Sequence, residues 1–467
     1  MKVSAKRDLC NGPILSGMFL YALPLIATGI LQTLYNAADT MVIGKFAGEE
    51  SLSAVSSTAA FINLLVNLFM GLSAGVLTVV ARHIGAKNED LVRRSVHTAI
   101  PLALVCGAFL LVAGLLTSEP LLRLMGTGDG NEAVLQKATL YTRIYFLGMP
   151  GFLLYNFGGS ILRAAGDTKR PLIYLTISGI LNVLLNLLFV IVFHMDVAGV
   201  AVATIASQYL SAVLVLVCLI REKSEIHFSF SGMCFDRRQF MEILRIGLPS
   251  GIQSSMFSIS NVIVQSTANT FQYLHVAGAG AAGQLENLLY TVITGYYTTT
   301  LAFTSQNFGA HKKKRIRSTL RYGHLLSLVT CIGLAAVLLV FNEPLLRIFT
   351  SEPVALEAGR VHLFIIAGTV FIDGAMQIQV GHLRGMGFSI VPMITSLVGT
   401  CGLRVGWIYT IFPLLGGTWG ALYAAYPVTW LFTLCGHLLY TLYADRVLKQ
   451  ISEGSEEKSQ KAAVTKP

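Results

Sequence analysis

Apolar residues run in long blocks along almost the whole chain, broken by short polar connections. An α-helix that crosses a bilayer needs about 20 mostly apolar residues at a rise of about 1.5 Å each. Twelve stretches meet that length, over 14–38, 52–81, 95–117, 138–161, 171–193, 197–220, 240–266, 277–306, 322–341, 358–382, 390–412 and 417–441. The pattern predicts an all-α integral membrane protein. The first block is too long for the core of a signal peptide and lacks a small-x-small exit, so it reads as a retained span.

The blocks repeat. Residues 71–125 recur in degenerate form at 295–349, a constant offset of 224, and the pentapeptide Glu119-Pro120-Leu121-Leu122-Arg123 returns unchanged at 343–347. Leu23-Pro24 matches Leu248-Pro249 at 225, and Leu162-Arg163 with Gly166 and Pro171 matches Leu383-Arg384 with Gly387 and Pro392 at 221. A period of this length means two homologous halves. Six spans per half is even, so both halves enter the membrane in the same sense, as a parallel repeat with its pseudo-twofold along the membrane normal. The expected organisation is an N-terminal lobe over 1–220, a polar linker over 221–239, a C-terminal lobe over 240–445 and a tail over 446–467 too poor in apolar residues to fold.

Composition agrees and charge adds orientation. Apolar residues make up 54% of the 467 and charged ones only 12%, about half the fraction usual in soluble domains. Of the 34 Lys and Arg residues, 27 fall in the termini and the even-numbered connections with their flanks, Arg245 among them; six (Lys45, Arg123, Lys137, Arg143, Arg347, Arg360) fall in the odd ones and their flanks, and Arg404 lies deep inside a span. That bias puts both termini in the cytoplasm. It also explains the net charge of +10 without nucleic acid, which is not an expected partner. The seven cysteines form no CxxC or Cys/His cluster, so neither disulfides nor a metal is expected.

Ionisable groups inside spans are costly and mark function by default. Four stand out: Asp39 at the outer end of the first block, Glu286 in the eighth, Asp373 in the tenth and Arg404 in the eleventh. Each has a plainer reading, Asp39 as an interfacial acid and Arg404 as a fixed counter-charge to Asp373 or Glu286. Thr369, Asp373 and Gln377 share a helix face at four-residue spacing, with Ile366 and Phe371 expected on the other side. Similar polar stripes are Ser178/Asn182/Asn186, Thr204/Gln208, Asn63/Asn67 and Ser254/Ser258/Asn261/Gln265. One or two could be interhelical glue, but so many across both halves argue for a wet cavity, to which Gln253 is also assigned. The GAGAAG run at 278–283 opens an apolar block with no strand before it, so helix packing outweighs nucleotide binding; Gly71/Gly75 and Gly402/Gly406 likewise read as helix contacts. Pro24 and Pro249, equivalent positions in the first span of each half, are candidate hinges.

The segments LYNAADTMVIGKFAG, TSQNFGAHKK, SILRAAGDTKRP, VGHLRGMGFSIVP and VAGVAVAT, set in six plus six spans, resemble the multidrug and toxic compound extrusion (MATE) family over about residues 10–445. The resemblance implies two lobes around a V-shaped cavity and export of organic cations against Na⁺ or H⁺. It places the acidic residue of the first helix at Asp39, the Asn-x-x-x-Asp of helix five at Asn182 and Asn186, and the helix-six threonine at Thr204. It also matches Asp373 to an acid that one bacterial branch carries in helix ten. Asn186 stands where the family often has Asp, and the helix-seven glutamate of that branch has no counterpart.

The resulting expectation is a secondary antiporter of the cytoplasmic (inner) membrane, working as a monomer and not an enzyme. It exports small amphipathic organic cations by alternating access around a midplane site. Asp39, Asn182, Asn186 and Thr204 form the expected coupling-ion site; Glu286, Asp373, Gln377, Gln253 and Arg404 line the expected substrate cavity. No cofactor is expected beyond the coupling ion. With Asn186 in place of a second acid the reading leans to H⁺ over Na⁺. The alternatives are a lipid-linked oligosaccharide flippase of the same superfamily, which would favour a more cationic cavity, and a membrane prenyl- or phosphotransferase. For the latter the DxxxD or HExxH pattern of a metal-dependent enzyme does not occur.

Overall fold

A computed structural model of the protein describes residues 7–127 and 131–464, without the side chains of residues 60, 445 and 447 onward. Among the described residues the chain runs through twelve helical passages, with short helices at Asn342–Leu346 and Ile411–Leu414 between them. In the first half they are α1 (Ile14–Phe46), α2 (Glu49–Gly85), α3 (Glu89–Leu124), α4 (Glu132–Leu147, resuming at Met149–Ala164), α5 (Lys169–Leu187, ending in a π turn, Leu188–Val192) and α6 (Asp196–Arg221). In the second half come α7 (Arg237–Ala268), α8 (Tyr273–Gly309), α9 (Lys313–Val340) and α10 (Pro353–Gly385). Then follow α11 (Ile390–Ser396, a π turn Leu397–Gly402, and Leu403–Tyr409) and α12 (Trp419–Tyr423 and Ala425–Val464). The stretch expected as an unfolded tail falls on the end of α12, where side chains lie outside the described residues.

Among the described residues, nine of these passages are long and apolar enough to cross a membrane on composition alone. The other three expected spans, α4, α7 and α8, fall short for physical reasons. α4 is broken at Gly148 into two pieces of 16 residues. α7 carries the serine and amide stripe, and α8 carries Glu286, Asn287 and the threonines around 298–300. Polar faces lower the mean hydropathy of helices that are buried against others.

The lobes meet on their symmetry axis. A Cβ added to Gly85 would lie 1.9 Å from the carbonyl oxygen of Gln306, and one added to Gly309 would lie 1.9 Å from that of Arg82. Gly85 and Gly309, and Arg82 and Gln306, are equivalent pairs at the repeat offset, so each helix end crosses its own counterpart where no side chain fits. Around this point α7 packs on α2 through backbone, with a Cβ at Gly71 placed 2.1 Å from the Gly251 nitrogen, and α1 packs on α8 through Ile26 against Gly295. Gly402 and Gly406 mark no such contact, because a Cβ at 406 would meet nothing and one at 402 only its own helix.

The interface is sealed at the face that carries the linker. Leu9 is fully buried between the lobes, its carbonyl accepting from the Asn307 side chain at 3.0 Å, while the Arg7 N–H donates to Gly166 and the Gln306 amide to Ala164. The linker is not a free tether: Ile226 and Phe228 join the N-lobe core, and the Ser229 N–H donates to His97 Nε2 at 3.1 Å. Asp236 caps α7, and hydrogen bonds from the Gln239 and Arg238 N–H groups hold its carboxyl below the usual range. Moving away from this face, the described hydrogen bonds between lobes run as far as Ser255 to Leu64 and Asn67 to Ser258.

Candidate functional site

In the N-lobe, α1 is drawn onto α5 because Gly179 has no side chain: a Cβ there would sit 1.9 Å from the ring of Tyr35. Tyr35 is one turn before Asp39, so this close approach aims Asp39 at α5 and α6. There one carboxylate oxygen accepts from the Asn186 amide nitrogen, and the other accepts from Thr204 Oγ1 at 3.5 Å. Asn186 also donates to Asn182 Oδ1 at 3.4 Å, and Asn182 donates to Thr204 at 3.5 Å. The four residues assigned from sequence to the coupling ion therefore form one closed ring of contacts. Asn186 Oδ1 is buried and receives no hydrogen bond, an oxygen left over in an otherwise satisfied site. The π turn of α5 begins two residues after Asn186, a local widening of the helix frequent at functional sites.

The C-lobe holds a different chemistry. Glu286 lies 5% exposed on the wall of a cavity of about 230 Å³ with Asn261, Gln265, Asn287, Tyr290, Tyr423 and Tyr426 among its lining residues. Its Oε1 is 2.8 Å from His362 Nε2 but makes no hydrogen bond, and the His362 ring stacks 3.8 Å from that of Tyr423. Arg404 lies with its guanidinium 3.9 Å over the Tyr426 ring and donates to Asn261 at 3.1 Å. Asp373 is buried and is not among the residues lining this cavity.

Several expectations change here. Arg404 makes no described ion pair with Asp373 or Glu286; it is held by an amide and an aromatic face instead, and His362 is the group beside Glu286. Gln253 does not line the cavity: it is buried 3% exposed and accepts from Arg384 at 2.7 Å, eight residues and thus about 12 Å along α7 from Asn261. Gln377 is half-buried and lies off that wall, whereas Ile366, expected on the far side of α10, lines it. Seven residues separate Ile366 from Asp373, about two turns, which puts them on the same face. Pro24 and Pro249 both lie inside their helices, as placed from sequence.

The residues missed from sequence are His362, the tyrosines and the two π turns. His362 could have been found, since it lies eleven residues, about three turns, before Asp373 and so on its face. The π turns leave no trace in hydrophobic periodicity.

The MatE family model matches residues 24–188 and again 249–410, each match opening on one of the two equivalent prolines. A probable multidrug resistance protein, YoeA of Bacillus subtilis, is 27% identical over 88% of this chain and 91% of its own length. An FAD transporter of Shewanella oneidensis is also 27% identical, over 85% of this chain and 87% of its own. Among solved structures, an outward-facing multidrug resistance MATE family transporter superposes with a TM-score of 0.89 at 22% identity, covering 96% of this chain and all of that one.

Proposed function

Because the chain belongs to the MatE family, we propose that it is a multidrug exporter, a secondary antiporter that drives amphipathic organic cations out of the cell in exchange for H⁺. The observation that carries this reading is the ring around Asp39: a carboxylate at the meeting of α1, α5 and α6, held by two amides and a hydroxyl. A charge in that position is tolerated only while hydrogen-bonded, hydrated or neutralised. A proton neutralises it outright, and the protonated acid can donate to the free Oδ1 of Asn186. Na⁺ is the second reading, favoured by the same unpaired oxygen, since a hard cation needs several oxygen ligands at once. Asn186 offers an oxygen but no second negative charge, and this tips the reading to H⁺.

Alternating access then needs a two-state element whose balance the bound ion shifts. α1 is suited to that task. Pro24 removes a backbone hydrogen bond within its inner third, its outer half meets the N-lobe through Tyr35, the Asp39 ring and the buried Val42 and Ile43, and its inner half is tied into the lobe interface. Neutralising Asp39 loosens the outer half without stranding a charge in lipid. With the linker face on the cytoplasmic side, the described arrangement is closed inward, and the exchange site faces out.

The test is efflux from proteoliposomes holding the purified chain, with a fluorescent organic cation inside and H⁺ and Na⁺ gradients imposed one at a time. Export driven by an H⁺ gradient alone is expected. Export under neither gradient would remove the antiporter reading.

A further inference from the structure

We propose that the segment joining the two lobes is a lipid-binding surface: its aromatic side chains enter the inner leaflet beside α3, and its arginines hold anionic phospholipid headgroups there. This surface needs only the orientation set by the charge bias, with the linker on the cytoplasmic side, and holds whatever the cargo is.

Where the linker lies decides what it meets. Arg94, Thr98, Val105, Phe109, Val112 and Leu116 of α3 follow one another at steps of four, seven, four, three and four residues, so they share one face. The last four are large apolar side chains left exposed, which marks that face as the one turned to lipid. Thr98 is fully buried because the linker crosses the same face: the Asp236 N–H donates to Thr98 Oγ1 at 3.2 Å, beside the bond from Ser229 to His97. A Cβ at Gly232 would lie 3.0 Å from His97 Nε2, so the turn Phe230–Gly232 is seated directly on α3. Seven residues, about 10 Å along the helix, separate Thr98 from Val105. The linker thus lies across the inner end of a lipid-facing stripe, at the depth of headgroups and upper acyl chains.

Its outer side is apolar. Phe230 is 62% exposed, Phe235 60% and Met233 44%, and the exposed Met241, one turn past Arg237, continues the patch onto α7. Each exposed ring leans on one held in the N-lobe core, Phe230 on Phe228 at 5.3 Å between centroids and Phe235 on Phe240 at 4.9 Å. Aromatic and apolar side chains fixed at this level, with charges beside them, are what an interfacial segment buries in the boundary between headgroups and chains.

Charge selects the lipid. The acids of the linker all turn inward: Glu222 pairs with Arg170 at 2.7 Å, Asp236 accepts from the N–H groups that it caps, and Glu225 lines the cavity between the lobes with Lys87 and Lys312. Its cations Arg221, Lys223, Arg237 and Arg238 are exposed. Arg237 and Arg238 stand in the first turn of α7, where a positive charge opposes the helix dipole, so α7 itself gains nothing from them. Arg238 has one described acidic neighbour, Glu242 at 3.6 Å, which His83 shares at the same distance. An apolar patch rimmed by outward cations fits an anionic leaflet.

The test is fluorescence quenching of the full-length protein in phosphatidylcholine vesicles, with an NBD label on the native Cys234 and with Cys10→Ser and Cys435→Ser removing the other accessible thiols. Phosphatidylcholine or phosphatidylglycerol carrying a nitroxide high on the acyl chain is added at equal mole fraction, and aqueous iodide in parallel. Both nitroxide lipids should quench more than iodide does, and phosphatidylglycerol about fivefold more effectively, the scale of one basic residue beside anionic headgroups. The double variant Arg237→Gln/Arg238→Gln should be quenched equally by the two lipids, and Arg237→Lys/Arg238→Lys should keep the preference. Phe230→Ser/Phe235→Ser should lose quenching by both lipids and gain it from iodide. In the wild type, iodide quenching without lipid quenching would overturn the proposal, and so would equal quenching by the two lipids. A full preference retained in the glutamine pair would remove the arginines from it. Cross-linking of unlabelled Cys234 between copies, in place of lipid quenching, would make this face an interface between proteins instead.

Discussion

The two lobes are built on one template and hold opposite chemistry. At the repeat offsets, Asp39 corresponds to Val264, Asn182 to Leu403, Asn186 to Trp407 and Thr204 to Ala425. In the other direction, Glu286 corresponds to Ile62, His362 to Tyr141, Asp373 to Phe152 and Arg404 to Val183. Each of these eight groups has an apolar or aromatic residue as its counterpart, whereas the cavity amides Asn261 and Asn287 have counterparts in Asn36 and Asn63. What duplication kept is the backbone crossing, seen in the reciprocal contacts of Gly85 and Gly309. What it gave up is the equivalence of the interiors. The N-lobe site is a single acid enclosed by neutral donors, suited to a small ion. The C-lobe site is an aromatic cavity with an acid, an imidazole and a guanidinium, suited to a larger organic ligand. On the proposed reading, one lobe takes the coupling ion while the other takes the cargo.

This division is open to attack from either side. The largest effect is expected from Gly179→Val, whose side chain would meet the Tyr35 ring and push α1 off α5. Overpacking of this kind costs about 1–3 kcal/mol. Gradient-driven efflux should fall by tenfold or more while tetraethylammonium affinity at the C-lobe is unchanged; paired flux and binding assays on one preparation would show it. A matching loss of binding would mean that the lobes do not divide the work.

Next in size are the amides. Asn186→Ala and Asn182→Ala each remove a hydrogen-bonding partner from the ring, worth about 1 kcal/mol and so about fivefold in transport. Asn186→Asp restores a second negative charge and should raise the dependence on Na⁺, read as flux against Na⁺ concentration at fixed pH. A flat sodium response would argue that the ring does not bind the coupling ion.

The smallest effect is expected at Arg404. Arg404→Lys keeps the charge but loses the planar contact with Tyr426 and the geometry of the bond to Asn261. At about 0.5–1 kcal/mol this should weaken cation binding two- to fivefold and leave H⁺ coupling alone. A change in coupling ratio, measured from the reversal potential of flux, would tie the C-lobe into ion exchange more tightly than proposed.

Much of this was legible in the sequence because lipid imposes a length rule. The blocks around Ile14, Glu89 and Lys313 could hardly be anything but spans, and the shared EPLLR at 119–123 and 343–347 fixed the repeat. Asp39, Asn182, Asn186 and Thr204 came from family resemblance, and their convergence needs three helices whose docking no periodicity encodes. The C-lobe was read less well. Periodicity marked Glu286 and Asp373 as costly but could not say that His362, eleven residues upstream of Asp373, would stand beside Glu286, or that Gln253 would be taken by Arg384. The linker misled for a simple reason: its charges advertise solvent, while Ile226 and Phe228, only two apolar side chains, are enough to dock it on α3 and its neighbours.

The most direct measurement compares Asp39→Asn with the wild type in proteoliposomes, scoring concentrative uptake driven by an H⁺ gradient separately from downhill exchange of tetraethylammonium. The neutral amide keeps the shape of the ring and cannot carry a proton on and off. Asp39→Asn should therefore exchange the cation downhill yet fail to concentrate it. Concentration at the wild-type level by Asp39→Asn would contradict coupling through the N-lobe and move it to Glu286 and Asp373.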